Sequence, residues 1–456
     1  MKYIYHYLII VGMLIGMMSC SYTDLKPTDK VGDHEIFSSV FTLEQATTGI
    51  YAKMSLRTTL NVSAILSDDV YKGGQNGGAG DDSYQWTYSA ATGDHNNLWS
   101  SYYGVINMAN RVLEGAKTVQ TNNQVEEKIK QNCIGTALFI RAYTSFDLLR
   151  FFADFDKKEN LGIPYSKQKV VLETLGRNTV AECYQEMSKD LETAIPLLSQ
   201  VVPETPCYAS QLAAKALLAR INLYARNYNQ AYQYAAEVLN QKPIVGIQQY
   251  PKIWSDETKD EIIFELTRLP GEETIGTLFW SADNSSSFEP STELIKSYDE
   301  KDIRLKTFIG DGVDRDNVPV KRVNKYKGTK ENVGLSNQKM IRSSEMLLIM
   351  AECKAISNIA EANSLLNQLR RARIKDWSDK NYLTKEEILQ EILLERRREL
   401  CFEGHRFFDL RRFHLPIYKP MINKTLDVDN IRRIMPIPLA EMQGNNVIAN
   451  QQNPGY

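Results

Sequence analysis

Along most of this chain, apolar residues recur every three to four positions, the interval that gives a helix one buried stripe. The clearest run is Val180, Tyr184, Met187, Leu191, Ile195 and Leu198. It opens with Thr179-Val180-Ala181-Glu182, a capping-box pattern in which the Thr and Glu side chains satisfy unpaired backbone N–H groups. Thr42-Leu43-Glu44-Gln45 gives the same signal ahead of Ile50 and Met54, and Thr384-Lys385-Glu386-Glu387 gives it ahead of Ile388 and Ile392. Gly404 is placed to stop that last helix. Three independent starts predict a mostly helical chain.

Two segments read as helical hairpins. In Ala213 to Pro243, Leu218-Ala219, Ala231 and Pro243 fall at the offsets of the tetratricopeptide pattern, with Asn227-Tyr228-Asn229 as the turn. Met346 to Arg373 offers a second pair, with Ala362, Leu366 and Leu369 in the corresponding places. Hairpins of this kind stack into a curved scaffold. Two stretches break the pattern, at about 67–97 and 246–338. The first is rich in Gly, Asp and aromatics; the second holds one strand candidate, Ile262 to Leu266, among polar loops. The predicted class is therefore mostly α, a tetratricopeptide-like scaffold with irregular insertions and minor β.

The N-terminus adds a destination. Lys2, an apolar run from Leu8 to Met18 and the closing Ser19-Cys20 fit a secretory signal, and the run is too short to span a bilayer comfortably. Gly16-Met17-Met18-Ser19-Cys20 resembles a bacterial lipobox, with Met17 where Leu is usual. The reading is a signal over 1–19, lipidation at Cys20, a tether over 20–33 and one folded unit over 34–456. Acyl chains then hold the protein on a membrane through their buried methylenes.

Charge and cysteine narrow the chemistry. The 54 basic and 56 acidic residues of this 456-residue chain leave no surplus of cations for nucleic acid. Beyond Cys20 the cysteines are Cys133, Cys183, Cys207, Cys353 and Cys401, an odd and scattered set that reads as free thiols. All but Cys207 lie in helical patterns. Asp68-Asp69 and Asp81-Asp82 lack the fixed separation across a sugar that glycoside hydrolysis needs. Gly73 to Gly80 has no following Gly-Lys-Ser/Thr, and Asp311, Asp314 and Asp316 lack the twelve-residue calcium loop. His405, beside Glu403 and Arg406, reads as a structural hydrogen-bonding residue. No catalytic set, metal site or cofactor site is expected.

The sharper feature is aromatic. Tyr71, Tyr84, Trp86 and Tyr88 stand among Asp69, Gln85, His95 and Asn96 in the first irregular stretch; Phe279, Trp280 and Phe288 stand beside Asp283 and Asn284 in the second. A flat ring stacks on the C–H face of a sugar while amides and carboxylates hold its hydroxyls. Asp69, Tyr71, Tyr84, Trp86, Asn96, Trp280 and Asn284 are thus the candidate ligand contacts. Trp99, Tyr103 and Ile106 follow helical spacing and read as scaffold packing.

Several segments together resemble the SusD/RagB family of outer-membrane nutrient-binding lipoproteins. They are Ala46 to Ala52, Leu98-Trp99 with Ile106 to Asn110, Arg141 to Phe152, Ile341 to Leu348 with Ala351-Glu352, and the ending Gln452 to Tyr456. The most specific is Glu395-Arg396-Arg397-Arg398-Glu399-Leu400 followed by Phe402 to Arg412, in which Phe407-Phe408 replaces a frequent Trp. That Arg/Glu run reads as interhelical ion pairing, since Glu395, Arg398 and Glu399 share a helix face. The resemblance implies a lid-like surface lipoprotein on the outer membrane. Such a protein captures a nutrient glycan and delivers it to a SusC-like TonB-dependent transporter. It leaves a peptide-binding lid, a surface glycosidase and a pure assembly scaffold as alternatives. It carries no contact residue across, because the family's contacts lie in variable loops.

Overall fold

The computed structural model describes residues 33–55, 57–169, 174–199, 206–281, 283 and 285–456. The leader, Cys20 and the tether up to residue 32 lie outside the described residues.

Helices dominate, and they stack in chain order. His95–Ala116, here the Trp99 helix, packs on Gln124–Phe152, which packs on Val180–Ala194, which in turn meets Gln211–Tyr224. Gln211–Tyr224 pairs with Tyr228–Gln241 as the first hairpin, and Ser343–Ser357 with Ile359–Arg371 as the second. Tyr228–Gln241 lies against Ser343–Ser357, which joins the hairpins, and Lys385–Leu400 closes on the second. Close crossing is possible because Ala213, Ala216, Ala219, Ala231, Ala235, Ala351 and Ala362 are buried at the contacts. Among the described residues, no helix is long and apolar enough to cross a membrane.

The helix starts follow capping chemistry. Thr179 and Thr384 each cap with a reciprocal Glu at the third helical position, as expected. At Val40–Lys53 the cap is Ser39, three residues before the expected Thr42, and Thr42 is the reciprocal partner instead. Both residues can accept from a backbone N–H, and the helix begins at the earlier one. The final long helix stops at Leu400 with Cys401 as its cap, so Cys401 lies just past the helix rather than in it. Gly404, at φ 81°, serves the next turn, before Arg406–Arg412. The first hairpin's turn falls at 225–227, since Tyr228 already begins a helix.

The two irregular stretches are ordered by contact with each other. Strand β1 (Val70–Lys72) pairs antiparallel with β3 (Phe288–Pro290), Tyr71 facing Glu289. Strand β2 (Ile262–Leu266), the strand expected from the sequence, pairs with β6 (Gln338–Arg342). Strands β4 (Ile309–Val313) and β5 (Pro319–Val323) form a hairpin that Gln75 joins at Asp316, 3.0 Å away. Gly73 sits where the stretches nearly touch: a Cβ there would lie 2.2 Å from the Ser286 carbonyl oxygen.

Candidate ligand-binding site

Folding consumes two of the four aromatic candidates, Tyr84 and Trp86. Trp86 is 6% exposed; its Nε1 donates to the Leu66 carbonyl at 3.1 Å, and the buried Lys419 ammonium sits 4.2 Å above its ring. Its backbone is left-handed, φ 55°, an uncommon state for a bulky side chain that this packing holds in place. Tyr84 is buried against Phe288 and under the same Lys419. Asp69 is buried and its Oδ1 accepts from Arg397 Nε at 2.8 Å. These three residues, expected to meet a ligand, instead pin the first irregular stretch to the scaffold. Lys419 explains the arrangement: its ammonium donates to the Ile65 and Tyr84 carbonyls at 2.6 and 2.7 Å, and burial pushes it well below the usual lysine range.

Tyr71 and Trp280 remain half-buried at the surface. Tyr71 donates to Glu293, and the Arg322 guanidinium covers one face of the Trp280 ring at 3.5 Å. Asn284 lies outside the described residues. Among the candidates, Asn96 lines a surface hollow.

That hollow, about 870 Å³, opens at the head of the Trp99 helix. One face of the helix is buried through Leu98, Trp99, Tyr102, Val105 and Ile106. The other carries Asn96, Asn97, Ser100 and Tyr103 into the hollow. Opposite stands the short helix Leu439–Gly444, held by the Leu439 N–H donating to the Ala90 carbonyl at 2.8 Å. Glu441 bridges the walls. Its Oε2 accepts from Trp99 Nε1 at 3.2 Å and its Oε1 from Asn445 Nδ2 at 3.1 Å. A second hollow of about 290 Å³ shares Trp99, Tyr103, Glu441 and Asn445 with the first, making one cleft.

The cleft is rigid where it needs to be. The Trp99 ring lies 4.7 Å from Tyr103 and edge-on to Phe152 at 4.9 Å. Tyr103 Oη donates to the Pro164 carbonyl at 2.8 Å, and burial pushes its phenol well above the usual range. Asn445 is fixed by the Leu175 carbonyl and by the N–H groups of Val447 and Ile448. The result is an aromatic floor, a rim of amides and a hydroxyl, and one carboxylate. Trp99 is 5% exposed and packs the scaffold, as its spacing predicts, backing the half-buried Tyr103 ring that the cleft exposes. Glu441 and Asn445, more than 300 residues away in sequence, carry no motif that would have found them.

The Arg/Glu run is not part of this surface. Glu399 is fully buried and accepts from Arg304 Nη1, Arg342 Nη1 and Arg373 Nε at 3.1, 3.2 and 3.1 Å, and from Tyr250 Oη at 2.8 Å. Glu395 pairs with Arg304 and Arg370, Arg396 with Asp409, and Arg406 with Asp68. Burial disfavours the Asp68 carboxylate, but Arg406 and then Arg397 outweigh it and hold it below the usual range. The run is structural, as its spacing predicts. His405 differs from expectation: it is buried, and its Nδ1 has no hydrogen-bond partner among the described residues. The five cysteines beyond the leader are free.

Stacked helical hairpins thus carry a surface cleft with an aromatic floor, a rim of amides and one carboxylate. The family pattern described as "Starch-binding associating with outer membrane" matches residues 21–223, and that of the SusD family matches residues 309–456. The chain belongs to the SusD/RagB family. SusD-like protein P2 of Formosa agariphila is 24% identical, the alignment covering 98% of each chain. A SusD superfamily protein from Bacteroides thetaiotaomicron superposes with a TM-score of 0.80 at 25% identity, covering 91% of this chain and 100% of that one. A candidate sugar-binding protein from Bacteroides vulgatus gives 0.78 at 27% identity, covering 92% and 99%.

Proposed function

We propose that this protein is a lipid-anchored receptor at the cell surface, acylated at Cys20. It captures a nutrient oligosaccharide in the Trp99 cleft and passes it, as a lid, to a SusC-like TonB-dependent transporter. The observation that carries the reading is the cleft: the half-buried Tyr103 ring, backed by the buried Trp99, under neutral amides is the chemistry by which apolar and hydroxyl faces of a sugar are held together. The family's description as starch-binding and associated with the outer membrane supports it. So does the name of the Bacteroides vulgatus relative. Among the described residues the cleft presents one carboxylate, Glu441, where glycoside cleavage uses two. That favours capture over hydrolysis.

The test is isothermal titration of the protein with neutral oligosaccharides. Replacing both Asn96 and Asn97 by Ala removes two hydrogen-bonding amides from the rim and is expected to weaken binding about tenfold. Unchanged affinity in that variant, with loss on Trp280→Ala, would move the binding surface to the β-hairpin side of the molecule.

A further inference from the structure

We infer that the cleft selects uncharged oligosaccharides against uronate-bearing or sulfated ones, and that Glu441 is the residue that sets this preference. The inference rests on the cleft being the glycan site. Among the described residues lining the two joined hollows there is no Lys, Arg or His, and Glu441 is the one charged side chain.

Recognition of a carboxylate or sulfate relies on cationic donors, above all the guanidinium fork. This chain has many arginines in its signature run, but they are spent internally: Arg396 on Asp409, Arg397 on Asp69, Arg398 on Glu395 and Arg406 on Asp68. Among the described lining residues, the charge an acidic sugar would meet is therefore a carboxylate, half-buried and fixed between Trp99 Nε1 and Asn445 Nδ2. Repulsion between like charges a few ångströms apart in a partly desolvated site amounts to at least about tenfold in affinity. A neutral sugar meets the opposite situation. Each Glu441 oxygen keeps a lone pair for a hydroxyl donor, and the Asn96, Asn97 and Gln443 amides both give and accept.

The test is calorimetric titration of the protein with neutral gluco-, xylo-, manno- and galacto-oligosaccharides, each paired with a counterpart carrying carboxylates or sulfates. The expected result is that the best neutral ligand binds at least about tenfold more tightly than its acidic counterpart. The ratio should shrink at high salt and in Glu441→Gln. Equal or tighter binding of the acidic member, or a ratio that neither salt nor Glu441→Gln alters, would overturn the inference and leave the glycan-receptor reading standing. Failure of every oligosaccharide, neutral or acidic, would instead overturn that reading and this inference with it. Should Glu441→Gln not fold, the wild-type ratio and its salt dependence still decide.

Discussion

Glu399 shows what a single side chain does in this protein. Three guanidinium groups and the Tyr250 hydroxyl converge on one buried carboxylate, contributed by separate segments between 250 and 399. A buried pair is weak evidence for net stability, but removing one partner strands the others in low dielectric. Glu399→Gln is therefore expected to lower unfolding free energy by about 3–5 kcal/mol in urea titration; a loss under about 1 kcal/mol would show that the network is not coupled. His405 gives a second residue-scale prediction. Burial, and then the charges of Arg220, Arg396, Arg150 and Arg342, hold its imidazole well below the usual range. The unfolded chain takes up that proton below about pH 6.5 while the folded chain does not, so stability falls by about 1.4 kcal/mol per pH unit below that point. His95, lowered by its own burial, adds to the slope. His405→Gln should flatten the decline between about pH 6.5 and 5, and an unchanged slope in urea titrations across that range would refute the assignment.

At the scale of elements, local signals were legible and distant ones were not. The caps at Thr179 and Thr384 could be read because the reciprocal Glu lies three residues away. Thr384→Ala is expected to cost about 1 kcal/mol, measured by thermal or urea unfolding, and no change would mean that packing alone fixes the start of that helix. The cap falls at Ser39 rather than Thr42, which offers the same chemistry, and sequence alone does not choose between them. Trp86 departs from its sequence pattern for a deeper reason. Its polar neighbours suggest an exposed loop, but Lys419, over 300 residues later, sits over its ring and ties the loop into the core. The paired stretches of irregular chain could be recognised separately, while β1–β3 pairing, which brings them together, has no sequence signature.

Across the whole molecule, the buried carboxylates set an acid limit. Burial alone would raise the Glu395 carboxyl, but Arg304, Arg370 and Arg398 hold it down to about 2. Glu403 and Asp409 are lowered by their arginine partners in the same way. Their contribution is complete above the ordinary glutamate range and is lost as pH falls through it, about 3 kcal/mol from Glu395 alone between roughly pH 4.5 and 2. Thermal unfolding should therefore drop steeply in that window, and a flat profile would contradict the ionised network. The same network explains why the scaffold and the family signature were legible while the site was not. The signature encodes how loops are bolted to helices, whereas the cleft is assembled from the Trp99 helix and a short C-terminal helix with no motif of its own.

The central claim, that cargo is held at the head of the Trp99 helix, is tested most directly by a crystal structure of the protein soaked with its best-binding neutral oligosaccharide. The sugar is expected against Tyr103, with hydroxyls on Glu441 and the Asn96 and Asn97 amides. Density against Tyr71 and Trp280 instead, with the Trp99 cleft empty, would contradict it.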